Sequence, residues 1–174
     1  LKAFGATYEG QGPKALMPVT VHGAKDIAAA DVTVATASAQ VKSALLLAAL
    51  GARGTSRIAQ GTLTRDHSEK MLAGFGVTIR VTPQAEGEII ALEGPARLKA
   101  CAVAVPRDPS SAAFAIVAAL IVPGSEISLP NIMLNPRRAG LIQTLIEMGA
   151  DIAITNRRTS GGEETGDLTV RHSQ

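Results

Sequence analysis

The chain has 174 residues, of which 46% are hydrophobic, 18% are charged and only 2% are aromatic. This composition is typical of a globular protein and excludes a disordered one. Because 17 basic and 15 acidic residues leave a net charge of only +2, and the few aromatic residues are scattered, no nucleic-acid partner is predicted. The longest uncharged run, residues 109–125, is shorter than the roughly 20 residues that span a bilayer, so no membrane association is predicted either.

The cysteine and histidine content excludes further classes of site. Cys101 is the only cysteine, which excludes an internal disulfide and fits a reducing compartment, so we expect a cytoplasmic protein. Its neighbours are apolar and supply no base, which favours a structural rather than a catalytic role. The three histidines, His22, His67 and His172, lack metal-ligand spacing, and no metal is predicted.

Both ends of the sequence fall within predicted elements. The first residue is Leu rather than Met, and the opening LKAFG is typical of the last turn of a helix that ends at Gly5. The final segment, DLTVRHSQ, is a strand pattern that is barely completed. We therefore expect the sequence to be part of a longer chain.

A tandem repeat organises the elements in between. The first copy predicts a helix at 38–50, a strand at 54–59, a helix at 66–75 and strands at 76–82 and 88–93. The same layout recurs 72 positions later from Ser110, the counterpart of Ser38, and a further strand near 101–106 leads into it.

Glycines mark the end of the second helix in each copy. Gly5, Gly76 and Gly149 are spaced by 71 and 73 residues, and each can close a helix in the left-handed conformation. The first helix of each copy is apolar on nearly every face, so we expect it to be buried inside the unit, with the more charged second helix nearer the surface. The repeat predicts a duplicated, pseudo-symmetric α/β architecture, which some schemes class as α+β.

The two copies differ at the start of their first helices. In the second copy Asp108 is a good N-cap and Pro109 a good first residue, so no ligand is required there. In the first copy Ser38 or Thr36 can cap the helix, but neither stands at capping-box spacing from Gln40. An amino end with hydroxyls, free amides and no acid is suited to an anion. An ordinary cap and an anion site are both open interpretations.

Arg65 presents a similar choice at the start of the following helix. Asp66 and Glu69 have capping-box spacing, which makes His67 the first helical residue. A cation just outside the positive end of a helix is unfavourable by about 0.3–1 kcal/mol, and a bound anion would reverse that sign. The alternative is that Arg65 pairs with Asp66 or is simply solvated.

Other cationic residues have ordinary explanations. The stem of Lys42 can pack along the first helix while its amine reaches water. Arg137 and Arg138 follow Asn135 and Pro136, which form a normal pair of helix cap and first helical residue.

Four segments, in order along the chain, carry a family resemblance. They are ASAQVKSALLLAAL (37–50), TRDHSEKMLAGFGV (64–77), DPSSAAFAIVAAL (108–120) and NPRRAGLIQTLIEMGADI (135–152). Together they strongly resemble the 5-enolpyruvylshikimate-3-phosphate synthase family, and the likeness is closer to its glyphosate-tolerant bacterial class. The resemblance implies repeated βαβαββ units in two pseudo-threefold domains, the prism of the enolpyruvyl transferases. Residues 1–104 would be the later part of the first domain and residues 105–174 the first repeat of the second.

The resemblance also implies a reaction and a set of binding residues. The reaction is transfer of the enolpyruvyl group from phosphoenolpyruvate to shikimate-3-phosphate with release of phosphate, in the shikimate pathway of aromatic amino acid biosynthesis. It implies no metal or organic cofactor and a monomeric full-length enzyme. Ser38, Ala39, Gln40 and Arg65 match shikimate-3-phosphate contacts, and Gln40 also lies near phosphoenolpyruvate. Ala39 is commonly Ser in other members, so its contact would be made through the backbone.

The family pattern is incomplete in this chain. The N-terminal Lys-Ser…Arg segment, the phosphoenolpyruvate-binding Arg and the C-terminal catalytic Asp, Glu and Lys have no counterparts, so no catalytic residue is predicted and the chain alone is expected to be inactive. Arg107 replaces the usual Gly of a V-P-G-D-P-S-S segment at the crossover near 104–108. If that position needs positive φ, Arg107 costs about 1–2 kcal/mol, and otherwise it is harmless.

Three alternatives remain open at this point. The chain is similar, more distantly, to UDP-N-acetylglucosamine enolpyruvyl transferase, although the catalytic-cysteine loop of that family is not visible around Cys101. A different transferase or cyclase built from the same unit is the second alternative. The third is a non-catalytic α/β repeat module whose polar helix starts are only caps.

Overall fold

The structure is a computed structural model that describes residues 1–13 and 16–173. It divides into two compact units, Leu1–Lys99 (unit 1) and Ala100–Gln174 (unit 2). Gln174, which ends the second predicted domain, lies outside the described residues. No helix among the described residues is long and apolar enough to cross a membrane.

Unit 1 is built on a mixed sheet with two helices. Its described elements are β1 (Thr7–Gln11), β2 (Leu16–His22), β3 (Asp31–Val34), α1 (Ala39–Ala49), β4 (Gly54–Gln60), α2 (His67–Gly74), β5 (Ile79–Pro83) and β6 (Glu88–Gly94). Strands β1 and β2 pair with each other, whereas the larger sheet has the order β3-β4-β6-β5. Strand β3 runs parallel to β4, and the other neighbours in that sheet are antiparallel.

Unit 2 repeats most of this arrangement. Its described elements are α3 (Pro109–Ile121), β7 (Glu126–Met133), α4 (Gly140–Glu147), β8 (Ile152–Ser160) and β9 (Glu163–Arg171). Its sheet order, β7-β9-β8, corresponds to β4-β6-β5 in unit 1. The predicted succession of helix, strand, helix, strand and strand is confirmed in both copies, and so is the mixed α/β class.

The glycines that follow α2 and α4 close these helices in the same way. Gly76 and Gly149 have φ of 83° and 96°, in the left-handed region that the repeat predicts. The amides of Val77 and Ala150 then reach back to carbonyls five residues earlier, which completes a Schellman motif in each copy. Because Gly76 and Val77 belong to this closure, β5 begins at Ile79 rather than at the predicted residue 76.

Each unit has its own apolar core between one face of its sheet and its helices. In unit 1 the largest buried apolar side chains include Leu46 of α1, Ile58 of β4 and Leu92 of β6. Alternate residues of β4 and β6 are buried, as expected for strands with one covered face. The core of unit 2 is formed in the same way, with Ile116 of α3 and Val170 of β9 among its members.

The expectation that α1 and α3 are buried on all sides is wrong. Val41 and Leu47 of α1 are exposed, and in α3 the exposed fractions reach 83% at Phe114 and 70% at Ile121. A helix that lies on a sheet buries only the stripe that faces it, and no described residue covers the opposite stripe of either helix.

The strand predicted near 101–106 is also wrong. No strand is found in residues 95–106, all of which are described, and only Arg107 makes an isolated parallel bridge, to Ile132. Its amide donates to Asn131 O at 2.8 Å and its carbonyl accepts from Met133 N at 3.1 Å. An alternating apolar segment becomes a strand only where it has a partner along its length, and here that partner is reached at one residue. Arg107 is not among the described non-glycine residues with positive φ, so of the two alternatives left open by the sequence the structure favours the one without backbone strain.

Candidate functional site

The amino end of α1 is capped by a serine. Ser38 has an extended backbone, and its Oγ accepts a hydrogen bond from Val41 N at 3.3 Å. Of the two predicted caps, the structure selects Ser38, while Thr36 contributes its carbonyl to Ser38 N at 2.7 Å. None of the described residues in the first turn is acidic, so no side-chain carboxylate of that turn offsets the positive end of the helix.

An open cleft begins at this helix end. Ala39 is half-buried and Gln40 is exposed, and both line the cleft together with Ser43, Ser68 and Arg65. The first amides of a helix have no acceptor within the helix, so Ala39 and Gln40 bring backbone donors to this side. The structure thus brings Ala39, Gln40 and Arg65 to one cleft, whereas Ser38 caps the helix and is not one of the residues that line the cleft.

Arg65 lines the cleft, and its guanidinium has no partner among residues 1–13 and 16–173. The side chain is exposed and forms no hydrogen bond or ion pair with any described residue. The predicted alternative, a pair with Asp66, is wrong, because the Asp66 carboxylate lies 3.3 Å from Lys70 Nζ one turn further along α2. The arginine is available to an anion in the cleft.

The predicted capping box at the start of α2 is wrong as well. His67 is the first helical residue, as expected, but the Asp66 side chain makes no capping hydrogen bond to the described amides at the helix start. Glu69 turns inward instead, with 4% of its surface exposed, and its Oε1 lies 2.6 Å from Lys42 Nζ. Neither oxygen of Glu69 accepts a further hydrogen bond from the described residues.

Lys42 does not reach water with its amine, contrary to the sequence-based expectation. The side chain is fully buried, and its Nζ donates to Arg65 O at 2.8 Å in addition to its contact with Glu69. The only sequence signal for this pair was a single charge within an otherwise uncharged helix. A buried charge needs a partner, and the partner stands 27 residues away.

Two serines join α1 and α2 beside this pair. Ser43 Oγ donates to Ala39 O at 2.8 Å and lies 2.5 Å from Ser68 Oγ. Because the Ser43 proton is directed to Ala39, Ser68 is the donor of the second hydrogen bond. These contacts, which sequence reasoning missed, hold the start of α2 against the first turns of α1.

A buried amide–carboxylate pair supports the corresponding loop in both units. Gln60 Nε2 donates to Glu88 Oε1 at 2.6 Å, and Asn135 Nδ2 donates to Glu163 Oε2 at 3.1 Å. The two pairs are separated by 75 positions at both members. In unit 1, Thr64 Oγ1 also donates to Gln60 Oε1 at 2.9 Å, which fixes the residue just before Arg65. These pairs are therefore part of the repeat and set the course of the loop after its first strand.

Asn135 does not cap α4, so that prediction is wrong. Its Oδ1 accepts from Arg137 N at 2.9 Å and its carbonyl accepts from Arg138 N at 2.8 Å, which forms a turn. Helix α4 begins only at Gly140, with Ala139 at the N-cap position. Asn135 therefore caps the turn that precedes α4 and not α4 itself.

The amino end of α3 is occupied by a carboxylate, as predicted. Asp108 accepts hydrogen bonds from Ser110 N at 3.1 Å and Ser111 N at 3.3 Å, and Pro109 is the first helical residue. Arg138 Nη2 lies 3.0 Å from Asp108 Oδ1. The pKa of Asp108 is lowered, first by the Ser110 amide and further by Ser111 and Arg138.

The remaining candidates form no second site. Cys101 is exposed. Among the described residues no group of three or more His, Cys, Asp or Glu side chains is arranged to hold a metal ion.

Comparison with known proteins gives a family. The family model described as EPSP synthase (3-phosphoshikimate 1-carboxyvinyltransferase) matches residues 1–173. Proteins named 3-phosphoshikimate 1-carboxyvinyltransferase from Paracoccus denitrificans and Roseobacter denitrificans are 51% and 52% identical over 172 and 174 residues. Each alignment covers 99% of this chain but only 39% and 38% of the relative, so the chain spans well under half the length of these curated relatives.

A solved structure agrees with these relatives. EPSP synthase from Acinetobacter baumannii superposes with a TM-score of 0.90 at 38% identity, over 99% of this chain and 38% of that one. A similarity that covers nearly the whole chain in both sequence and structure leaves no part of it to another fold. The chain belongs to the EPSP synthase family.

Proposed function

We propose that this chain is the part of a 3-phosphoshikimate 1-carboxyvinyltransferase that binds shikimate-3-phosphate at the amino end of α1. The observation that carries the proposal is an acid-free helix start that opens into a cleft beside the unpaired guanidinium of Arg65. Shikimate-3-phosphate carries a phosphate, a carboxylate and hydroxyl groups, and this cleft offers a cation, amides and hydroxyls. The ligand and the cleft are complementary in both charge and hydrogen bonding.

Each predicted residue has a distinct role in this proposal. Arg65 neutralises anionic charge, and the backbone amide of Ala39 donates where other members carry a serine side chain. The Ser38 hydroxyl caps the helix and hydrogen-bonds the ligand. The exposed Gln40 amide binds shikimate-3-phosphate on one side and approaches phosphoenolpyruvate on the other.

The proposed reaction of the whole protein transfers the carboxyvinyl group of phosphoenolpyruvate to a hydroxyl of shikimate-3-phosphate and releases inorganic phosphate. This chain contributes binding and orientation to that reaction and no catalytic residue. We therefore expect no turnover from the 174-residue chain alone, and turnover by it would contradict this part of the proposal.

The proposal extends to class, organisation and compartment. The four family segments support the glyphosate-tolerant class. The compact units Leu1–Lys99 and Ala100–Gln174 support two domains, whose boundary in the chain is proposed to lie near residue 104. The whole enzyme is proposed to be a cytoplasmic monomer, and a single exposed cysteine, Cys101, fits a reducing compartment.

Calorimetric titration of the purified chain with shikimate-3-phosphate tests the binding proposal. Arg65→Ala and Gln40→Ala should each weaken binding, the former by about 10- to 100-fold, because a hydrogen bond to a charged group contributes about 1.5–3 kcal/mol. The matched control is Arg138→Ala, which removes an arginine already paired with Asp108 and should leave the affinity unchanged. Absence of binding, or saturable binding that neither Arg65→Ala nor Gln40→Ala weakens, would overturn the proposal.

A further inference from the structure

The buried lysine of α1 is linked directly to the backbone of the ligand-facing arginine. Lys42 Nζ lies 2.6 Å from Glu69 Oε1 and donates to Arg65 O at 2.8 Å. Lys42 stands in the first turn of α1, close to Ser38, and Glu69 stands in the first turn of α2. The Lys42 ammonium therefore links the first turn of α1 to Glu69 in the first turn of α2 and to Arg65, which precedes the N-cap of α2.

Fold stability alone does not account for this pair. Two charges that leave water lose hydration, and a buried ion pair is often no more stabilising than an apolar pair of similar volume. Unit 2 carries apolar residues at both positions. Aligned on the helix N-caps, which shifts the Ser38–Ser110 match of the sequence repeat by two positions, Ala112 of α3 corresponds to Lys42 and Ile142 of α4 corresponds to Glu69. Ile142 is a buried member of the core of unit 2, and Ala112 is partly buried and packs against that core. The same fold thus forms without the ion pair.

The two units also differ in which atoms hold Arg65 of unit 1 and Arg138 of unit 2. Arg138 of unit 2 is held directly by the carboxylate of Asp108, through its guanidinium. The Arg65 guanidinium has no partner among the described residues, and the contact that holds this residue is made at its carbonyl. A residue fixed by its backbone keeps all its side-chain donors for a ligand.

We propose that Lys42 and Glu69 are positioning residues, which fix the backbone of Arg65 beside the amino end of α1 so that its guanidinium meets the anion of the bound ligand. Glu69 holds the Lys42 ammonium in place, and the ammonium holds the Arg65 carbonyl. The hydrogen bond between Ser43 and Ser68 secures the same junction from the other side. This inference rests on the proposed function for the identity of the ligand, shikimate-3-phosphate.

The first test separates positioning from stability. The double variant Lys42→Met/Glu69→Leu replaces both charges by apolar side chains, as in unit 2, and leaves no uncompensated buried charge. We expect its urea midpoint to equal or exceed that of the wild type, while its dissociation constant for shikimate-3-phosphate rises about tenfold. A folded double variant with wild-type affinity would overturn the inference.

The second test asks whether the effect passes through Arg65. In an Arg65→Ala background the same double substitution should change the affinity less than about twofold, because coupled residues are not additive. Equal losses with and without Arg65 would show that the pair acts on the cleft in general, which contradicts a positioning role.

A ligand-free measurement distinguishes failure of this inference from failure of the proposed function. In the wild-type chain the Arg65 carbonyl ¹³C resonance reports the hydrogen bond from Lys42, and we expect it to move in the double variant while the ¹⁵N order parameter of Asp66 falls. If the wild type binds no shikimate-3-phosphate but these signals change, the proposed function fails and the positioning of Arg65 stands. If Arg65 and Asp66 are unchanged, the inference fails whatever the chain binds.

Discussion

The amino ends of α1 and α3 occupy the same place in two copies of one unit, yet they are completed differently. At α3 the carboxylate of Asp108 accepts two backbone amides and faces Arg138. At α1 the cap is the neutral Ser38, and the guanidinium of Arg65 has no partner in the described residues.

Under the proposed function, the difference separates features of the repeat that serve the fold from features that serve the ligand. In unit 2 a protein carboxylate satisfies helix amides and an arginine at once, so nothing further is needed there. In unit 1 the donors and the arginine are present but the carboxylate is not. We infer that Asp108 does for α3 what an anion of shikimate-3-phosphate does for α1.

The largest effect is expected from breaking the ion pair that unit 2 lacks. Glu69→Leu leaves the Lys42 ammonium buried without its counter-charge and should lower the free energy of unfolding by about 3–5 kcal/mol. Urea denaturation followed by far-UV circular dichroism measures the change. The control is the corresponding position in unit 2, where Ile142→Leu exchanges apolar groups of equal volume and should cost less than about 1.5 kcal/mol. Similar losses for the two variants would contradict the comparison.

A smaller effect is expected when unit 1 is given the cap of unit 2. Ser38→Asp places a carboxylate at the amino end of α1, where it should add about 0.3–1 kcal/mol to stability and weaken shikimate-3-phosphate binding by at least about tenfold. The charge occupies the position proposed for the ligand and repels it. Calorimetric titration measures the affinity, and Ser38→Asn is the matched control, since it retains a capping oxygen without charge. Equal affinities for the Asp and Asn variants would show that no anion binds here.

The smallest effect concerns the acid dependence of unit 2. Hydrogen bonds from Ser110 and Ser111, and the Arg138 cation, lower the pKa of Asp108 in the folded state. A lowered folded-state pKa contributes stability that is present above the unfolded-state value, about 3.9, and is lost as pH falls through the folded-state value. The melting temperature of the wild type should therefore fall on acidification more than that of Asp108→Asn.

The fall in melting temperature is compared between wild type and Asp108→Asn because a second carboxylate, that of Asp167, also contributes stability that is lost in acid. The pKa of Asp167 is also lowered, first by its hydrogen bond from Asn156 and then by the Asn131 amide and Arg158. Asp167 is present in both proteins and cancels in the comparison. Parallel acid profiles for wild type and Asp108→Asn would contradict the role given to Asp108.

Local patterns predicted several helix ends. The cap at Asp108, the helical start at Pro109 and the closures at Gly76 and Gly149 each depend on a few consecutive residues, and all are confirmed. The gathering of Ala39, Gln40 and Arg65 around one cleft was expected only through the family resemblance. Their roles toward shikimate-3-phosphate stay predictions.

Contacts between distant residues were predicted poorly. The capping box assigned to Glu69 fits its spacing, but a stronger electrostatic partner, Lys42, is brought to it by the packing of α1 against α2. Similarly, the apolar run near 101–106 has the alternation of a strand but no partner along its length.

The sequence by itself determined the order of elements in each repeat, the starts of α1, α2 and α3 and the closures after α2 and α4, because these depend on periodicity, glycine and caps within a few residues. Only the tertiary structure decided which charges are buried, which faces of α1 and α3 are exposed, and that Arg65 is held at its carbonyl while no described residue binds its guanidinium. These outcomes depend on pairings such as Lys42 with Glu69, whose members are far apart in the chain and meet only when the helices pack. Burial and electrostatic partnership are properties of the packed structure, and no local pattern encodes them.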